Sequence, residues 1–116
     1  MAEHLLPEPR VQVTAYTVNC LPEDTLDGHV FGINVEYRGR GRWAIVRLGR
    51  CLSADGEWDY EMRPSEREDE WLATHRFDEE TALKLAREAA PHVRVNGRTV
   101  ADALALAQHR TEQRRG

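Results

Sequence analysis

A chain of 116 residues has the size of one domain and can bury a modest core without metal or disulfide staples. Its formal net charge of −4 argues against a protein that holds nucleic acid by charge alone. No stretch approaches the ~18 apolar residues of a membrane span, and the acids and prolines of MAEHLLPEPR do not fit a secretory leader, so a cytoplasmic chain is expected.

The basic residues are fifteen arginines and one lysine, Lys84. With abundant Ala, Val and Glu, this bias matches GC-rich coding, so arginine content alone is weak evidence for bidentate arginine chemistry. Cys20 and Cys51 are expected to be reduced in the cytoplasm.

In chain order, residues 1–9 carry two prolines and little periodicity and read as a loosely held arm. Residues 11–18 (VQVTAYTV) are rich in β-branched side chains and read as a strand, with Val11, Val13 and Ala15 on one face. The turn residues of NCLPEDTLDG make 19–28 a loop. Residues 30–37 alternate, with Phe31, Ile33, Val35 and Tyr37 to one side. Gly39 and Gly41 mark a hairpin, and residues 43–52 return as one central strand, apolar on both faces near its start. Asp55-Gly56 is a second hairpin signal. A fourth strand over 57–62 should send Trp58, Tyr60 and Met62 to the core and Glu57, Asp59 and Glu61 to water.

Beyond Pro64 the period becomes helical. Ser65 and Glu68 fit a capping box for a short helix burying Trp71 and Leu72. Asp78 is an N-cap candidate for an Ala-rich helix from Glu79 to about Ala90, with Phe77 as its hydrophobic staple and Pro91 as its stop. After Asn96-Gly97, Thr99 and Asp102 form another box, and Val100, Ala103, Leu104 and Ala107 share one face of a last helix. Residues 110–116 read as a polar tail. The organisation is one α+β domain: a sheet over 11–62 as a four-stranded antiparallel meander, then two or three helices over 65–109 packed on one face.

No catalytic, cofactor or metal constellation stands out. No two of His4, His29, His75, His92 and His109 share the i, i+4 spacing of a helical metal pair. Neither cysteine sits in a setting that lowers a thiol pKa. The acids of 55–70 are explained by an outward strand face and a helix first turn. The stretch RGRGRWAIVRLGR packs five arginines into thirteen residues. Its glycines mark a hairpin. Arg47 and Arg50 are expected to answer the acids of the next strand. That leaves Arg38, Arg40, Arg42 and Trp43, at the tip, as candidates for touching a partner: charge beside an aromatic anchor.

The runs GEWDYE (56–61), PSER (64–67), DEWL (69–72) and THRF (74–77) resemble a group of small uncharacterised proteins from high-GC Gram-positive bacteria. The resemblance covers roughly residues 30–105 and implies a bacterial cytosolic protein, with no activity or cofactor attached to it. The expected function is a small non-enzymatic protein-binding or regulatory module, acting on a protein partner or as a homodimer. The alternatives are nucleic-acid binding through the Arg38–Trp43 tip, where phosphate contacts and stacking would combine, and a small-ligand carrier or enzyme with a pocket on the sheet face.

Overall fold

Alternating β-branched and aromatic residues fill the first half of the chain, and they build a sheet with two distinct faces. The computed structural model describes residues 5–63 and 67–115, apart from the side chains of 111–115. Five strands, β1 (Ala15–Val18), β2 (Ile33–Tyr37), β3 (Trp43–Arg47), β4 (Arg50–Leu52) and β5 (Trp58–Tyr60), form one antiparallel sheet in chain order. Three helices follow: α1 (Asp69–His75), α2 (Glu79–Ala89) and α3 (Val100–Arg115). The α+β meander is as expected, but it has five strands, not four.

The extra strand comes from a turn within 43–52. Leu48 and Gly49 have φ of 52° and 75°, and two consecutive left-handed residues make a tight hairpin turn. Val46 therefore faces Cys51, and Arg47 faces Arg50. The expected pairing of Arg47 with the acids of β5 is not made. Its guanidinium donates to the Val30 carbonyl at 2.8 Å, while Arg50 lies 4.7 Å over the Tyr60 ring.

β1 pairs over four of the eight residues expected. The ladder ends where the Tyr37 amide donates to the Thr14 carbonyl at 2.8 Å. Val11 and Val13 continue past the sheet with 100% and 55% exposure.

Register assigns the faces. Tyr16, Ile33, Val35, Tyr37, Trp43, Ile45, Leu52 and Trp58 lie on one of them. α2 covers this side, and its Ala82 and Ala86 are fully buried, because small side chains let the helix close on the sheet. Ala44, Val46, Cys51 and Asp59 lie on the other face. The end of α1 serves that second face: His75 bonds Asp59 at 2.8 Å, and Arg76 pairs with Glu61. The helices are thus not all on one face of the sheet, contrary to expectation.

On β5 the expectation holds only in part. Trp58 packs against the core on the α2-covered face as expected, but Tyr60 on the same face is 71% exposed, while Glu61 is partly buried against Arg76 and the half-exposed Asp59 reaches the buried His75. Alternation identifies two faces of an edge strand, but the covered one is chosen by what packs there. Here the end of α1 supplies His75 and the following Arg76, which hydrogen-bond the Asp59 and Glu61 carboxylates.

Arg76-Phe77 carries the chain from one face to the other. Phe77 exchanges both backbone hydrogen bonds with Trp43, at 2.7 and 3.0 Å, filling the place beside β3 where β4 has ended. The next residue starts α2: the Asp78 carboxylate accepts from the Thr81 amide at 2.7 Å, as the cap pattern predicts. Thr99 and Asp102 close their box reciprocally at 3.0 and 3.1 Å. Ser65, the cap expected for α1, lies outside the described residues; α1 starts at Asp69 with Glu68 as an extended N-cap.

Candidate anion-binding cleft

The β2–β3 hairpin turns through Gly39, Arg40 and Gly41, with φ of 91°, 54° and 73°. The turn is closed by the Arg38 amide to the Arg42 carbonyl at 2.8 Å and the Arg42 amide to Gly39 at 2.9 Å. The Tyr37 hydroxyl accepts from the Gly41 amide at 2.9 Å. Glycine tolerates a left-handed φ without strain. Arginine does not, and holding Arg40 there costs about 1–2 kcal/mol. That strained residue sits at the tip, where its side chain faces away from the core.

Opposite the tip stands α1. Between them is an open cleft of about 370 Å³, lined by Arg38, Gly39, Arg40 and Arg42 from the hairpin and by Arg67, Asp69, Leu72, Ala73 and Arg76 from α1 and its flanks. Among the described residues, five arginines thus line one cleft with a single carboxylate, Asp69. Three are held by carboxylates at the margin. Arg38 pairs with Glu36 at 2.9 Å, and Glu61 accepts from Arg67 at 3.1 Å and from Arg76 at still closer range. These pairs fix the arginines in place and offset part of their charge. Arg42 lies near Asp78, which is held below the usual carboxylate range mainly by the Thr81 hydrogen bonds and to a smaller extent by Arg42. No hydrogen bond or ion pair joins Arg40 to a described residue.

Trp71 fixes the wall. Its ring stacks on His75 at 4.3 Å with planes 6° apart, and the guanidinium carbons of Arg76 and Arg67 lie 5.0 and 5.9 Å from its centre. Such contacts hold guanidinium planes at defined angles while leaving their N–H edges available.

Of the residues marked out by the sequence, Arg38, Arg40 and Arg42 converge on this cleft. Trp43 does not. It is 4% exposed, and its ring sits 5.5 Å from Tyr16 and 5.2 Å from Tyr37 in the α2-covered core. It therefore cannot anchor a partner. Arg67 and Arg76 were not among the expected site residues. They lie about thirty residues from the hairpin in the chain, and only the placement of α1 beneath its tip brings them in.

His75 and Cys51 are the other chemically capable groups on this side of the sheet. Both His75 ring nitrogens face oxygen atoms: Nε2 meets Asp59 at 2.8 Å, and Nδ1 meets the Trp71 carbonyl at 2.7 Å and Thr74 Oγ1 at 2.8 Å. Burial pushes the Cys51 thiol up to about 11, with the neighbouring Glu61 adding to the effect, which disfavours the nucleophilic thiolate. Among the described residues no three His, Cys, Asp or Glu side chains are grouped to hold a metal ion. No described helix is long and apolar enough to cross a membrane. A second cleft, of about 420 Å³, has an apolar floor of Leu52, Trp58, Leu85 and Ala89 and a rim that includes Asp55 and Glu88.

No family model, curated protein or solved structure matches the chain.

Proposed function

We propose that this protein is a small non-enzymatic binding module and that its partner is a protein presenting a short acidic segment to the arginine-lined cleft. The observation that carries the reading is the convergence of five arginines from two separate parts of the chain on one open cleft. Guanidinium forks match carboxylates in planar, bidentate geometry. Leu72 and Ala73 give the same cleft an apolar patch for the aliphatic part of a peptide.

Two features favour an acidic peptide over nucleic acid. Among the described residues that line the cleft there is no aromatic ring on which a base could stack, and the nearby Trp71 ring is already packed by His75, Arg76 and Arg67. The net charge of −4 also opposes a long polyanion more than a short segment. Most of the cleft arginines already have partners, and solvent-accessible ion pairs contribute about 0–1 kcal/mol each, so five of them supply at most about 5 kcal/mol and a weak affinity, with a dissociation constant of roughly 0.1–1 mM, is expected.

Fluorescence anisotropy with labelled Asp/Glu-rich peptides, a neutral control peptide and a single-stranded oligonucleotide tests this. Acidic peptides should bind, more weakly as salt rises, and the Arg40→Ala/Arg42→Ala double variant should lose about tenfold or more in affinity. Tighter binding of the oligonucleotide at matched charge would shift the reading to nucleic acid. Failure of every anionic probe at low salt would remove the cleft as a site.

A further inference from the structure

The two edges of the sheet are not alike. β5 is three residues long and flanked by Glu57 and Glu61, with Asp59 at its centre. Short length and charge are the devices by which sheets block edge-to-edge pairing. The other edge is β1, and residues 11–18 (VQVTAYTV) contain no charged residue, no proline and no glycine. Nothing guards that edge, although β-branched residues make the segment well suited to a ladder.

Register shows which backbone groups are free. Thr14 is bonded to Tyr37, and Tyr16 lies two residues further on, opposite Val35. In an antiparallel ladder, alternate residues direct their N–H and C=O to one neighbour and the intervening ones to the other side. Thr14, Tyr16 and Val18 therefore serve β2, and Ala15 and Thr17 direct their backbone groups outward. The same alternation, carried back along the chain, reaches Val13 and Val11. Ala15 and Thr17 are exposed, as are Val11 and Val13, so no described residue covers this edge.

We infer that β1 and the segment before it pair antiparallel with the same segment of a second copy, joining two sheets into one across a twofold axis. A second copy fits because the segment is self-complementary. It is uncharged, so two copies do not repel, and it brings its own unpaired extension, Val11–Val13, to meet Ala15 and Thr17. Outward groups must meet outward groups, so odd-numbered residues must face odd-numbered residues. The register that uses all four places Val11 opposite the partner's Thr17 and Val13 opposite the partner's Ala15, with about eight new backbone hydrogen bonds. The guarded β5 edge makes the arrangement isologous and closed; pairing of β1 with β5 of another copy would instead propagate without limit.

Sedimentation equilibrium of the full chain over a range of concentrations tests this. The expected species is a dimer of the 13.3 kDa chain. Val13→Lys places a charge on an already exposed position, so the fold should survive while the dimer dissociation constant rises by about tenfold or more. Ala15→Pro removes an outward N–H without touching a bond to β2 and should act in the same direction. Circular dichroism and the melting transition confirm that each variant is folded. A monomer at all concentrations overturns the inference and leaves the edge to an extended segment of a different protein. A dimer that both folded variants leave at wild-type affinity overturns it too, because the interface then lies elsewhere.

Discussion

Trp43 and the three arginines before it are neighbours in sequence with opposite fates. The arginines reach the cleft, while Trp43 enters the core between Tyr16 and Tyr37. Strand alternation was visible in the sequence, but which face of β3 would be covered was not, since that depends on α2 arriving nearly forty residues later. Trp43→Ala should cost about 3–5 kcal/mol by chemical denaturation, the range for deleting a buried aromatic. A loss below about 1 kcal/mol would contradict the packing. Cys51 allows a second test. It is fully buried and Cys20 is exposed, so a thiol reagent at pH 8 should modify Cys20 rapidly and Cys51 only on unfolding. The folded thiol titrates at about 11, above its ordinary value of 9.0, so the folded state holds its proton more tightly. Its contribution is fully present below pH 9 and is lost as pH rises from about 9 towards 11. The melting temperature of a Cys51→Ser variant should vary less with pH across that window than that of the parent chain.

Elements with local chemical signatures were legible. The Asp78 cap, the Thr99–Asp102 box and the Asp55-Gly56 turn are all formed by residues whose side chains or backbone freedom act within four positions. The Leu48-Gly49 turn escaped because leucine carries no turn signal. It stands at φ 52° with 82% of its surface exposed, so neither backbone preference nor burial supports it there. Leu48→Asn should therefore stabilise the protein by about 0.5–1 kcal/mol, giving the turn the Asn-Gly pair that such hairpins favour. A higher denaturant midpoint at unchanged slope would check this; a lower one would mean that the Leu48 side chain contributes a contact of its own. The cleft was half legible for a related reason. The hairpin half is a continuous sequence motif, whereas the α1 half is assembled by tertiary placement alone.

At the scale of the whole molecule, the shape is elongated. The chain has a Cα radius of gyration of 18.8 Å and extents of 74 × 38 × 22 Å, against about 13 Å for a compact chain of this length. Residues 5–13, which have no strand partner, and the sixteen-residue α3 contribute to the length. Small-angle scattering at low concentration should return a value close to 18.8 Å. A value near the compact figure would mean that these segments fold back onto the sheet. The acidic balance of the chain and the basic cleft also separate in their salt response. Binding at the cleft should weaken as screening shortens towards about 8 Å at physiological ionic strength, while the fold, held mainly by buried apolar surface, should not.

Trp71 gives the cleft an optical consequence. Its indole stacks on His75 and lies 5.0 and 5.9 Å from the guanidinium carbons of Arg76 and Arg67, and both arginines also line the cleft. A carboxylate that draws either guanidinium off the ring changes the electric field at the indole, so cleft occupancy should shift or quench intrinsic emission. The other two tryptophans lie on the opposite, α2-covered side of the sheet and should stay constant. With Trp71→Phe as the silent control, the protein can report its own titration without a label.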